Sequence, residues 1–421
     1  MHGDKVLSLL GVATIALVVA FPGPLWAGAL YVYEMGSPAD VGTAGAGMAA
    51  KAQNASTVFT NPAGMTQFDQ PELLVSGIGM YLHAPFDPDR STTTVQGSDG
   101  QTSELFGGGS FSYVHPLTPQ LSLGISAQNN FGLALGWSSQ WVGRYQTVNE
   151  WLIAPQVQPT VAWKVNDWLS VGGGPALTLG YISEKKRVSN LDPARGDGKL
   201  RYSDSDFAVQ GNFGIMIEPD PQTRIGLRYL TETKLNFKDG LNLSNVGPII
   251  GRARSASLKL GVRMPQAVNL AVFRQLSDKW ALLGDIGWEE WSRFGEIDAQ
   301  VLADGSGTSL DLDTRDVWHF GVGAQYQYTP QWLLSAGFSY DTSMSSDANR
   351  PIILPVGQMY RYGGGVEYNK GDDLMIGAGL DLVWLGNVPV AEAGNNIAGT
   401  VNGKYTDAYF VFASVYASWK F

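Results

Sequence analysis

Residues 409–421 read Tyr409-Phe410-Val411-Phe412-Ala413-Ser414-Val415-Tyr416-Ala417-Ser418-Trp419-Lys420-Phe421. Taken two at a time, Tyr409, Val411, Ala413, Val415, Ala417, Trp419 and Phe421 share one face of an extended chain, and all are apolar. Ser414, Tyr416, Ser418 and Lys420 share the other. One side suits hydrocarbon and the other a polar interior, which is the pattern of a strand in a transmembrane barrel. The same alternation recurs at Trp332, Leu334, Ala336, Phe338 and Tyr340, and again at Leu374, Ile376, Ala378, Leu380, Leu382 and Trp384. Trp and Tyr near the strand ends predict interfacial girdles. A soluble sandwich buries one face of each strand and has no use for an outward comb of aromatics.

From Glu72 onward, segments of this kind are separated by turn signals that alternate in length. The short turns are His115 to Gln120, Val165 to Asp167, Pro219 to Thr223, Ser277 to Lys279, Thr329 to Gln331 and Asn369 to Asp373, each carrying Pro, Asn, Asp, Gly or another turn former. The long connections are Asp87 to Thr102, Gly136 to Gln146, Ser189 to Lys199, Asp239 to Arg254, Phe294 to Thr314, Thr342 to Val356 and Asn387 to Lys404. Six short and seven long connections join fourteen strands, an even number that closes an antiparallel barrel without a free edge. That count treats Ser255 to Leu276 as one strand interrupted at Pro265.

Composition agrees and excludes other classes. The chain has 421 residues with 52 Gly, 17 Tyr, 17 Phe and 13 Trp, only 16% charged residues and no Cys. There is therefore no disulfide framework and no Cys-based metal site or nucleophile. A formal net charge of -10 without a basic stripe argues against a nucleic-acid partner. Lys5 precedes an apolar run from Val6 to Phe21 that is too short to span, so residues 1–27 read as a secretory signal peptide, with cleavage after Ala27 preferred to cleavage after Ala29. Residues 28–71 are rich in small residues and turn formers and do not alternate; they are expected to form a separate plug, with 72–421 as the barrel.

Within that segment, Thr57-Val58-Phe59-Thr60-Asn61-Pro62-Ala63-Gly64-Met65 lies downstream of Gly42-Thr43-Ala44-Gly45-Ala46-Gly47. The combination resembles the plug of the FadL-like family of outer-membrane transporters for long-chain fatty acids and aromatic hydrocarbons. Asn130-Phe131-Gly132-Leu133 with Trp141 to Tyr145, Asp285 to Phe294, and Tyr340-Asp341 are similar to later stretches of that family. Val356 departs from it, standing where an acidic residue is expected. The resemblance implies a plug inside a fourteen-stranded barrel, passive movement of a hydrophobic ligand and no enzymatic activity. It also implies residence in the outer membrane of a Gram-negative bacterium, among its lipid and lipopolysaccharide. Phe421 is similar to the terminal aromatic that such barrels present to their assembly machinery; a monomer is expected, with no cofactor.

Two regions are expected to carry the function. Asn61-Pro62 forces a turn, Ala63 and Gly64 permit close approach to the wall, and Phe59, Met65 and Phe68 offer apolar surface for a ligand. Asn129, Asn130, Phe131, Gly132 and Leu133 put polar residues and a glycine late in the third strand, where a kink is expected. By resemblance this kink opens the wall for sideways exit of ligand into the bilayer. Arg224, Arg228, Lys259, Arg263 and Arg361 are expected to face the lumen opposite Asp285, Glu289, Glu367 and Asp381. A cation in an apolar pocket suits a carboxylate ligand. His83, His115 and His319 are dispersed, and Gly107 to Gly109 and Gly172 to Gly174 lie within strands. The chain therefore shows neither a catalytic constellation nor a phosphate loop. A general porin and an adhesive surface protein are the rival readings.

Overall fold

The computed structural model describes residues 31–94, 97–190, 193–248, 257–294, 296–301, 307–311, 313–348, 350, 352–353, 356–391 and 399–421. The expected signal peptide lies outside them. Among the described residues no helix is long and apolar enough to cross a membrane. The crossing elements are strands.

In chain order these are β1 (Glu72–Pro88), β2 (Gly100–Pro116), β3 (Leu121–Gly136), β4 (Asn149–Asn166), β5 (Leu169–Val188), β6 (Gly198–Asp220) and β7 (Thr223–Leu230). Then come β8 (Thr233–Gly240), β9 (Asn242–Ser244), β10 (Ser257–Met264), β11 (Ala267–Gln275), β12 (Trp280–Glu289), β13 (Glu296–Val301) and β14 (Gly307–Asp311). The last are β15 (Val317–Gln327), β16 (Trp332–Asp341), β17 (Met359–Lys370), β18 (Leu374–Ala391) and β19 (Asn402–Lys420). Strands β1 to β7, β11, β12 and β15 to β19 form a closed antiparallel barrel of 14 strands. It shuts where β1 pairs with β19, from Glu72↔Lys420 to Pro88↔Gly403. Closure matters because hydrocarbon offers no partner to an unpaired backbone N–H or C=O.

The six short turns form where expected, through local chemistry. Thr118 Oγ1 accepts from the Leu121 amide at 3.0 Å, Asn166 Oδ1 from Leu169 at 2.9 Å, and Asp220 Oδ1 from Gln222 at 2.9 Å. Ser277 and Thr329 do the same for Trp280 and Trp332 at 3.3 and 3.2 Å. Gly371 supplies the positive φ of 69° in the remaining turn. The alternation also holds: Val415, Trp419, Leu380, Ile376, Leu334 and Trp332 are exposed on the outside of the barrel, while Ser414, Tyr416 and Ser418 are buried within it.

One stretch departs from the single-strand reading. The expected strand through Pro265 is two strands, because proline has no N–H to continue the ladder. β11 stays in the barrel, whereas β10 leaves it and joins β8, β13 and β14 in a four-stranded sheet at the long-loop end. The break also shifts the pleat: Leu258, Leu260, Val262 and Met264 are buried along β10, but Ala267, Ala271 and Phe273 along β11. Lys259 and Arg263 are therefore half-buried on the face of β10 opposite its apolar side, not in the lumen where an unbroken alternation puts them.

Residues 31–71 contain no strand. They fold as short helical turns, Tyr33–Gly36, Pro38–Thr43, Met48–Lys51, Thr57–Thr60 and Pro62–Gln67. These touch strands around the ring, β1 to β7, β11, β12 and β15 to β19. The backbone comes close enough that a side chain on Gly337 or Gly363 would overlap the main chain of Thr43 or Ala44.

Candidate functional site

At one seam of the barrel wall two neighbouring strands part over much of their length. β2 and β3 pair only from Phe111↔Ala127 to Pro116↔Ser122, so Gly100–Ser110 and Gln128–Gly136 face each other without a ladder. On its other side β3 slips against β4 between Asn129 and Gly132. Gly132 makes that slip possible: its φ is 155°, and a Cβ there would overlap the Leu152 carbonyl. The expected kink residues thus sit at the break. Asn129 Oδ1 accepts from the Ala154 amide at 3.2 Å, which repairs part of the disrupted β4 ladder.

The start of the N-terminal segment occupies the inner side of the break. The Val32 amide donates to the Asn130 carbonyl at 2.9 Å, and Tyr31 bridges to Phe131. The Tyr31 ring meets Phe131 and Trp291 edge to face at 5.3 and 5.7 Å. Tyr31 Oη donates to the Pro265 carbonyl at 2.5 Å and accepts from Gln210 Nε2 at 3.1 Å. The segment therefore pairs with β3 where β2 does not.

A cavity of about 620 Å³ fills the space left over. Val32 and Met35 of the N-terminal segment line its inner end, Gly107, Gly108 and Gly109 of β2 one side, and Asn129 and Leu133 of β3 the other. Its outer end reaches Trp151, Leu177 and Leu179, all exposed on the lipid side of the barrel. Phe106 and Trp151 meet edge to face at 6.0 Å at this outer lip. The cavity lining carries no charged side chain.

A second, tighter pocket lies deeper, lined by Met80, Leu133, Val383, Phe410 and Phe412 with Glu34 and Arg361 at its polar end. Val32, Met80, Gly132, Leu133 and Ala134 line both spaces and so form the wall between them. Arg361 anchors a buried network: Nε donates to Asp341 Oδ2 at 2.9 Å and Nη1 to Glu34. Asp341 Oδ1 lies 2.6 Å from His319 Nδ1, and His319 Nε2 lies 3.2 Å from Asp285 Oδ2. Asp285 in turn accepts from the Gly47 amide at 3.1 Å and from Asn269 at 2.8 Å. Tyr33 donates to Glu289, which also accepts from the Trp291 indole. Charges taken out of water at this depth are tolerable only when paired and hydrogen-bonded in this way. The result couples the N-terminal segment to β12, β15, β16 and β17.

The expected plug residues play a different part. Asn61 Nδ2 donates to the Ala49 and Ile215 carbonyls at 2.6 and 3.0 Å, while its Oδ1 accepts from the Ala63 amide at 3.1 Å. Pro62 and Ala63 lie against Gly172, and Gly64 against Thr57. Met65 is fully buried beside Val58, Leu74 and Ala162, with Phe68 packed on that cluster. Phe59 lies under the Arg228 guanidinium, 4.2 Å from ring centroid to carbon. None of these seven lines either cavity. Arg224 donates to the Ala50 and Lys51 carbonyls at 3.0 and 2.6 Å, so it too secures the segment.

Of the five expected cations, Arg361 alone lines either of these two cavities. Tyr31, Val32, Glu34 and Met35 escaped the sequence reading because they precede the recognisable motif. Phe410 and Phe412 carried a usable signal: they are apolar residues on the inward phase of β19, where a polar lumen calls for none.

Three comparisons bear on this geometry. A family model described as outer membrane protein transport protein (OMPP1/FadL/TodX) matches residues 18–421. A long-chain fatty acid transport protein of Escherichia coli O6:H1 is 25% identical over 401 residues, covering 85% of this chain and 87% of that protein. Among solved structures, a Pseudomonas aeruginosa FadL homologue superimposes with a TM-score of 0.83 at 20% identity, covering 95% of this chain and 99% of the other. The Ralstonia pickettii toluene transporter TbuX does so with a TM-score of 0.67 at 17% identity, covering 93% and 100%.

Proposed function

Because this chain belongs to the OMPP1/FadL/TodX family of outer-membrane transport proteins, and is a transporter of hydrophobic compounds and not an enzyme, we propose that it releases its ligand sideways through the β2/β3 seam. The observation that carries this reading is the coincidence of three features at one place. The ladder is broken, Tyr31 and Val32 of the segment inside the barrel lie against the break, and an uncharged cavity runs from that segment to lipid-facing side chains. A greasy solute enters an aqueous pore poorly, so a route with apolar walls into the bilayer suits it better than a hydrophilic channel. Ligand enters from the long-loop side, waits in the inner pocket and leaves past Asn129 to Leu133 when residues 31–36 shift. The segment 28–71 acts as a plug, and movement is down-gradient.

Long-chain fatty acids are the first substrate class, in keeping with the curated relative and with Arg361 at the inner pocket. Aromatic hydrocarbons are the second, favoured by the uncharged lining of the exit cavity. The test is uptake of radiolabelled oleate and toluene by cells lacking their own transporter. They carry either this protein or a version with Asn129 to Leu133 replaced by a regular alternating strand. Saturable uptake that disappears on straightening, while the barrel still folds, supports the route. Undiminished uptake through the straightened wall overturns it.

A further inference from the structure

The hairpin of β5 and β6 carries charge on its outer face that the transport route does not use. The two strands pair from Leu169↔Ile217 to Val188↔Gly198, so their outward side chains can be matched row by row. Leu177, Leu179, Tyr181, Phe207 and Val209 are exposed on the lipid side, and Trp151 of β4 stands beside Ser183. This is the apolar belt and its aromatic rim. Beyond the rim Ser183 lies opposite Ser203, and the same face then presents Lys185 opposite Arg201 and Arg187 opposite Lys199. Lys185, Lys199 and Arg201 are exposed and Arg187 is half-buried.

Like charges placed directly across a sheet repel. Here two such pairs follow one another, in a chain whose net charge is -10. The acids nearby are turned elsewhere. Glu184 is buried on the inward face, 3.4 Å from Lys186 Nζ, and Asp197 accepts from Arg144 and Tyr145 at 2.8 and 2.7 Å. The positions flanking the row are uncharged: Asn149 of β4 beside Lys185, and Asn242 and Ser244 of β9 beside Arg201 and Lys199. Among the described residues none of the four cations is in an ion pair. Such a row weakens the hairpin unless an anion from outside the chain sits on it.

The height of the row identifies that anion. With a rise of about 3.4 Å per residue and a tilt of about 40°, Lys185, four residues past Tyr181, stands about 10 Å beyond the rim. Lys and Arg stems are long enough to reach back toward the interface. The β5–β6 connection is one of the long ones, which in such barrels face the exterior. We propose that this face binds the phosphates of the outer-leaflet glycolipid, the lipid A part of lipopolysaccharide. Arg187 and Arg201 grip phosphate oxygens with paired N–H bonds, Lys185 and Lys199 act as point charges, and Asn149, Asn242 and Ser244 meet the sugar hydroxyls. The acyl chains of a lipid held there run down over Tyr181, Leu179 and Leu177, and the last two border the outer end of the seam cavity. The binding itself does not depend on the transport route.

The test titrates the purified barrel in detergent micelles with bisphosphorylated lipid A and counts the complexes by native mass spectrometry. Lipid A is expected to be held about tenfold more tightly, equivalent to ~1.4 kcal/mol, than lipid A stripped of its phosphates or phosphatidylglycerol, and equimolar inorganic phosphate to leave it bound. Lys185→Gln, Arg187→Gln, Lys199→Gln and Arg201→Gln together are expected to abolish the preference. Because the repulsion is gone, this variant without lipid should lose its heat-modifiable gel mobility at the same temperature as the parent or higher. Lys238→Gln with Lys259→Gln, which removes two cations from the sheet of β8 and β10, is expected to keep the preference. A full preference in the fourfold variant, or equal loss in the twofold one, overturns the site. So does a fourfold variant that unfolds at lower temperature, because the cations then serve the fold. Equal binding of the phosphate-free lipid or of phosphatidylglycerol, or displacement by inorganic phosphate, overturns the assignment to lipid A.

Discussion

The two ends of the segment inside the barrel are equally buried and differently held. Around Asn61 side chains of the wall reach in to satisfy the segment's backbone: Gln158 Nε2 donates to the Val58 carbonyl at 2.7 Å and Asn212 Nδ2 to that of Phe59 at 2.8 Å. At Tyr31 to Gly36 the partners sit where the wall is interrupted, at Asn130, at Pro265 and on side-chain carboxylates. The first end rests on strands that are already paired, β4 with β3 at Gln158 and β6 with β5 and β7 at Asn212. The second completes a ladder that is not. Movement at the second end therefore exchanges a few contacts, whereas movement at the first strips the buried Val58 and Phe59 carbonyls of their donors.

The largest expected effect comes from erasing the interruption: straightening Asn129 to Leu133 is expected to cut uptake at least about tenfold, a barrier change of ~1.4 kcal/mol or more, with folding unaffected. Tyr31 and Phe131 are bridge partners, and such pairs have Cα atoms about 4.5–5.5 Å apart, within disulfide reach. A Tyr31→Cys, Phe131→Cys pair is accordingly expected to block uptake when oxidised and restore it when reduced. If the oxidised pair transports normally, the movable end has been misidentified.

At the other end, Asn61→Ala leaves the Ala49 and Ile215 carbonyls without their donor. It is expected to cost about 2–4 kcal/mol, read as unfolding of the gel-shifted barrel at lower temperature, with uptake per folded molecule within about twofold of the parent. A collapse of uptake at unchanged stability contradicts the division into a fixed and a movable end. The smallest effect is expected for Lys259→Gln and Arg263→Gln together. They lie off the apolar face of β10, and oleate uptake should stay within about twofold, because partly exposed charges contribute little. A larger loss of oleate than of toluene uptake returns them to the ligand path.

Much of the barrel was legible because its signals are local. Period-two alternation reports which face meets lipid, and Thr118, Asn166, Asp220, Ser277 and Thr329 build their turns within three residues. The position of the kink was legible for the same reason, since a glycine between polar and apolar residues marks a strand that cannot stay regular. Pro265 shows the limit. A two-residue gap at that proline shifts the pleat, so alternation counted straight through it assigned Lys259 and Arg263 to the wrong face. The Asn61 motif shows another, because a recognisable turn does not say whether its neighbours meet ligand or wall.

By itself, then, the chain determined an even, closed barrel with an inner segment, because strand period, turn chemistry and the need to pair every backbone group in hydrocarbon are properties of neighbouring residues. Only the tertiary structure decided where space is left inside the wall. The two cavities are bounded by residues drawn from Tyr31 to Met35, Met80, Phe106 to Gly109, Ala127 to Ala134, Trp151 to Val157, Leu177 and Leu179, Met359 and Arg361, Val383, and Phe410 and Phe412. Space between such distant stretches is set by how the ring closes and where one seam fails to, and no local pattern encodes that distance.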